Sequence, residues 1–379
     1  MHAPTNVRAH RRRRRLAASA VLVAACVAAV TAPSLAAVAG AKTPSVTEVG
    51  STVPPNGDLN PYGVAVVPKG AGHLRNGDVL VSNFNNGAGG AGGQQGRGTT
   101  IVDLDPRHTP AQPRLFARIT PGSVSCPGGI GLTTALAVLP GGLVVVGSLP
   151  TTDGAQIAGP GCLIFLSSRG VPVGTLSGAP INGPWDMTTL TSGHTAALFV
   201  TNVLNGLDGA NSGTPMTESQ GTVARIILDL QGDQPPTVSS EDVIGSGFTE
   251  RTDPAALVIG PTGLALGGKG TLYVNDTANS AVVAIPDALT RTSSVGTGTV
   301  LSSGGNLNQP LGLAVEHNGD LLAANGGDGN IVKVTPAGAQ VVTIAAAPAG
   351  AGSLFGLAVD KNRVFFVDDS ENQLNLLGR

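Results

Sequence analysis

Short polar residues recur where one kind of apolar run ends. Asn83, Asn202, Asn275, Asn325 and Asp368 close such runs, Ser148 closes another, and carboxylates stand nearby at Asp186, Asp276 and Asp369. Side chains of this type have two uses. They bond to neighbouring backbone and hold a turn, or they converge and bind a hard divalent cation such as Ca²⁺ through oxygen. Three rings, Tyr62, Trp185 and Phe355, share one position at the entry to the preceding run. They act either as wedges between packed units or as the wall of a ligand pocket.

Other chemistry is thinly represented. The chain has no Gly-x-Ser-x-Gly elbow, no phosphate-binding loop and no metalloprotease motif. His73, His194 and His317 fall between the first and second strand of a unit, and His108 between the third and fourth, all at the end opposite the Asn and Asp positions. A histidine general base is therefore missing where those polar residues gather. A carboxylate such as Asp186 or Asp368 could serve as acid or base if its ionisation is shifted. Cys126 and Cys162, without nearby His, suit a disulfide better than a zinc site.

The elements that must position these groups repeat six times. Each unit opens with a run such as NPYGVAV (60–66), TTALAVL (133–139), GPWDMTTL (183–190), GPTGLAL (260–266), QPLGLAV (309–315) or SLFGLAV (353–359). A second strand ending in Asn, Asp or Ser follows, then a third and, in five units, a more polar fourth. One such unit cannot bury its apolar face alone, so the repeat implies units packed in a ring. Four short strands joined by Gly-rich turns make an antiparallel propeller blade. The sixth unit stops after its third strand, and SVTEVGS (45–51) is expected to supply the missing edge.

The P-x-G-[LV]-A runs at 61–65, 261–265 and 310–314, with the break at Val274-Asn275-Asp276 and its later Asn279, resemble the NHL-type six-bladed propellers and their relatives. The resemblance covers residues 42–379 as one all-β domain. It departs from the pattern in the second unit, which lacks the Pro and Gly, and at Asp186, which stands where other units have Gly63, Gly263, Gly312 and Gly356. It implies a fold shared by binding scaffolds, sugar lactonases, strictosidine synthase-like proteins and an antibiotic-opening lyase. The lactonase relatives hold an axial metal with Asn and acidic residues, and their full ligand set does not map onto this chain.

Strand alternation places the turn between strands two and three, and the crossover to the next blade, at one end of the ring, here called the top. Loops there are long in three units, at 84–97, 149–160 and 203–220, and short in the others. A Cys126–Cys162 disulfide would tie down the middle one. Long loops on a rigid scaffold commonly carry binding.

Residues 1–41 read as a secretory signal, with Arg8 and Arg11 to Arg15 ahead of an apolar run; lipid attachment at Cys26 is the less favoured alternative. Of the 22 Lys and Arg, six lie in this leader, leaving 16 against 24 Asp and Glu, a net charge of about −8. Such a surface disfavours nucleic acid. No later stretch is long enough to cross a bilayer. The expectation is a secreted or cell-envelope monomer that binds a small molecule or an extracellular protein through its top face without catalysis. The alternatives are a metal-assisted lactonase or lyase, with Asp186, Asn202, Asn275 and Asp368 around the ion and substrate against Trp185 or Tyr62, and a structural envelope protein.

Overall fold

The computed structural model describes residues 44–87 and 93–378; the leader and Cys26 lie outside the described residues. Six antiparallel sheets form the blades. The first holds β2 (Leu59–Val66), β3 (Val79–Asn85), β4 (Thr100–Leu104) and β5 (Arg114–Arg118), counting β1 as Ser45–Ser51. The second holds β6 (Leu132–Val138), β7 (Val144–Ser148), β8 (Cys162–Leu166) and β9 (Pro172–Leu176). The third comprises β10 (Pro184–Ser192), β11 (Thr195–Asn202), β12 (Thr217–Gln231), β13 (Gln234–Asp253) and β14 (Leu257–Ile259). The fourth runs through β15 (Pro261–Leu266), β16 (Leu272–Asp276), β17 (Ala281–Ile285) and β18 (Thr299–Ser303). The fifth has β19 (Pro310–Val315), β20 (Leu321–Asn325), β21 (Asn330–Val334) and β22 (Gln340–Ala345). The sixth has β23 (Leu354–Asp360), β24 (Arg363–Asp368) and β25 (Gln373–Gly378), and β1 completes it by pairing antiparallel with β25 from Ser45↔Gly378 to Ser51↔Gln373. The expected closure by 45–51 is thus present, and it covers the edge that β25 would otherwise expose.

Burial explains the composition of each layer. Strands two and three sit between neighbouring blades and are apolar on both faces, as in β3, β7 and β8, whose residues are all buried. Outer strands such as β22 are largely exposed and carry polar residues. The third blade departs from expectation: β12 begins at Thr217, so part of the stretch 203–220 is strand rather than loop. Its hairpin with β13 extends upward, and β14 pairs with the end of β13 through Arg251↔Ile259 and Asp253↔Leu257.

The blades are also tied by side chains. Ser82 Oγ donates to the Thr133 carbonyl (2.7 Å), Thr201 Oγ1 to Thr262 O (2.8 Å), and Asn275 Nδ2 to Gly312 O (3.0 Å), in each case reaching the first strand of the following blade. The strand-one glycines serve the same closure. A Cβ at Gly312 would overlap the Phe355 carbonyl oxygen, and one at Gly356 the Tyr62 carbonyl oxygen, so the close approach of successive inner strands requires the residue without a side chain.

Candidate functional site

At the top of the axis the three sequence-selected rings meet in one stack. Tyr62 lies 4.1 Å from Phe355 and 4.5 Å from Phe84 between ring centroids, and 6.2 Å from Trp185. Tyr62 and Phe355 are 2% exposed and Trp185 4%. The crossover leaving the third blade packs on them: Leu257 is buried, and Trp185 Nε1 donates to Val258 O at 3.1 Å. Asp253 Oδ1 accepts from the Ala255 and Ala256 amides and its Oδ2 pairs with Arg251, which holds this crossover in place. Only about 10 Å³ remains beside the rings, close to the minimum for one water. Tyr62, Trp185 and Phe355 therefore form a sealed plug rather than an open ligand wall, because β14 covers them.

The seven cation candidates are spread over blades three to six; most are engaged in structural bonds, while Asn275 Oδ1 is buried without a partner. Asn202 Oδ1 accepts from the Asn182 amide, Asn325 Oδ1 from Asn308, and Asp368 Oδ1 from Ser370 and Glu371. Asp276 accepts from Asn279 Nδ2. Strand register also revises one alignment: Asp276, opposite Pro261, is the counterpart of Asn83 opposite Pro61, while Asn275 takes the place of Ser82 and Thr201 as a tie between blades. Among the described residues no three His, Cys, Asp or Glu side chains form a group able to hold a metal.

Asp369 and Tyr62 are nevertheless close enough to influence each other. Burial raises the Tyr62 phenol well above its ordinary range, and Asp369 and Asp253 add to the rise. Burial, with the Asp368 charge, lifts Asp369 to about 7. The Tyr62 hydroxyl and Asn60 Oδ1 are buried and meet no full hydrogen-bond geometry, although the Asn60 side chain stands near enough to the phenol to temper its rise. Asn60, in the left-handed region at φ 62°, belongs to this group and went unnoticed in the sequence. So did Glu250, fully buried opposite Glu218 and raised to about 8 by desolvation.

Asp186 occupies the axis below the plug. Its amide donates to Thr201 Oγ1 (3.1 Å), its Oδ1 accepts from the Met187 amide (2.8 Å), and burial pushes its carboxyl up to about 8. It lines an axial well of about 260 Å³ together with the lower parts of all six inner strands. Each inner strand pairs on one side only, so its other edge faces this space. The strands are buried at the top and half-buried at the bottom, at Val66, Val138, Leu266, Val315 and Val359. The well is consequently blind at the top and opens on the opposite face.

The top face has its own cavity away from the axis. About 420 Å³ lies between the first two blades, bordered by Asn56, Asp58, Arg97, Arg118, Gly128 and Pro150. Asp58 Oδ2 is held by the Thr99 amide and the hydroxyls of Thr99 and Thr100. Arg97 reaches the Thr151 and Thr152 carbonyls, fixing one long loop to the next. Arg118 is exposed and makes no ion pair with a described residue. The Cys126–Cys162 disulfide is formed, with a Cα separation of 5.5 Å, two residues before Gly128.

No family model matches the chain, and no curated protein matches it. Solved structures do. A gluconolactonase from Xanthomonas campestris is 16% identical with a TM-score of 0.53, over 89% of this chain and 94% of that one. The calcium-binding protein regucalcin from Agrobacterium tumefaciens is 15% identical at 0.53, over 87% and 94%. Catalytically inactive virginiamycin B lyase from Staphylococcus aureus, with quinupristin, is 13% identical at 0.52, over 89% and 99%. At these identities the likeness concerns the fold, and by fold this chain is a six-bladed β-propeller of four-stranded antiparallel blades, with lactonase, regucalcin and lyase propellers among its structural neighbours.

Proposed function

We propose that this protein is an exported, monomeric binding propeller that takes a small carboxylate-bearing molecule in the top-face pocket between blades one and two. The observation that carries the reading is the unpaired Arg118 on a cavity framed by two long loops and a disulfide. With Arg97 present and Asp58 already bonded, the pocket favours one negative group. An arginine offers a carboxylate two parallel donors, which adds orientation to charge. Export is supported by the Arg-rich, apolar leader sequence and by the disulfide. Titration calorimetry with a panel of mono- and dicarboxylates tests the reading. Binding that disappears in Arg118→Ala is expected; a panel that binds neither protein, or binds both alike, contradicts it.

A second reading, a lactonase or lyase working at the axial mouth, draws on the fold neighbours and on the buried Tyr62 hydroxyl and Asn60 Oδ1 beside Asp369. It requires the crossover carrying Leu257 to lift. Lactone hydrolysis assayed with and without Ca²⁺, and lost in Asp369→Asn, would favour this reading over the first.

A further inference from the structure

The axial well has a chemistry distinct from that of the top pocket. Six unpaired strand edges surround it, so its wall presents peptide N–H and C=O groups with aliphatic side chains such as Leu136, Leu313 and Leu357 between them. Two side chains at its inner end add polar groups. One is Asp186, 9% exposed, in a register where four other blades have glycine. The other is Thr134, which lines the well, is 4% exposed, and has an Oγ1 without any hydrogen-bond partner. Buried hydroxyls left unbonded are uncommon and costly, and this one, shielded from the well as placed, gains a partner there by a turn about χ1. Thr188, half-buried on the same wall, supplies a third polar side chain.

We propose that the well is a binding site for a small uncharged polyol, entering from the bottom face and hydrogen-bonded at its inner end by Asp186 and Thr134. Three features select that class. The unpaired strand edges present both donors and acceptors, apart from groups already bonded such as the Gly63 and Met187 amides, which suits hydroxyl groups that do both. Asp186 is the only ionisable side chain on the lining among the described residues, so a charged ligand would lose its hydration without a counter-charge. The volume of about 260 Å³, against the ~10–15 Å³ that one water needs on the same measure, holds a small molecule and limits the occupant to a short chain. Because the site lies at the other end of the axis, it stands or falls separately from carboxylate binding at Arg118.

The test uses glycerol, erythritol and xylitol as probes, with saturation-transfer NMR and calorimetry on the full chain. Wild-type protein is expected to bind at least one of them. Thr134→Val removes a hydroxyl that bonds to nothing in the protein, so the fold should be kept while affinity falls about tenfold, the loss of about 1.4 kcal/mol expected for one hydrogen bond. Asp186→Gly, which restores the residue found at this register in four other blades, should abolish binding, whereas Asp186→Asn should retain most of it. Should Asp186→Gly fail to fold, Val359→Phe at the half-buried rim is expected to block entry with Asp186 intact. Absence of polyol binding by the wild type, with only water in the well, would overturn the proposal, as would affinities unchanged in Thr134→Val and Val359→Phe.

Discussion

At the top of the axis Tyr62, Trp185 and Phe355 are at most 4% exposed beneath Leu257, while at the bottom of the same strands Val66, Val315 and Val359 are half-buried around an open well. The six inner strands are similar along their length, so the difference arises from what is added to them. Large rings near the start of three strands fill the upper axis, and the crossover from blade three, clamped by Asp253 and paired through β14, shuts out solvent. Below, four of the strands place glycine next, and space remains. Side-chain volume at one register thus decides which end of this propeller's axis is accessible.

Substitutions should separate the two ends. Trp185→Ala is expected to cost about 3–5 kcal/mol, as for other buried aromatic truncations, and Val315→Ala at the half-buried end about 1 kcal/mol or less. Urea denaturation of the pair measures this; equal losses would erase the distinction. Cys126→Ser with Cys162→Ser is next, at about 2–4 kcal/mol for a link spanning 36 residues. Intact mass with and without reductant checks that the bond exists in the isolated protein.

Asp186 gives a smaller effect with a definite sign. Its folded carboxyl is raised to about 8 from 3.8, so between these values the folded chain keeps a proton that the unfolded chain releases. Its stabilising contribution is full below about pH 4, declines by up to about 1.4 kcal/mol per unit as pH rises, and is lost near pH 8. Asp186→Asn should flatten that part of the stability profile. Slopes in the same direction from Glu250 and Asp369 will remain. Smallest of all, Arg118→Ala should change stability by no more than about 0.5 kcal/mol, and a larger loss would mean that Arg118 supports the fold instead of a ligand.

Much of this architecture was legible in the residues. Alternating β-branched runs, the repeated Gly register and the short sixth unit were enough to anticipate the blades and the closing strand 45–51, because register and turn chemistry are local properties. The disulfide was legible from loop position. The enclosure of the rings was not, since the stretch TERTDPAALVI (249–259) reads as an ordinary crossover, and only tertiary packing turns Leu257 inward at φ 66°. The order of Asn275 and Asp276 was equally hidden: both types suit a strand end, and the register shift between Pro261 and Leu264 determines which one ties the blades.

The sealed upper axis is open to a direct spectroscopic test, because Trp185 is the chain's single tryptophan and sits in the plug. Its emission should be blue-shifted, weakly quenched by acrylamide, and unchanged by Ca²⁺ or by the carboxylates proposed to bind near Arg118. Red-shifted emission with ready quenching, or a marked change on adding Ca²⁺, would contradict a closed top and place recognition back on the axis.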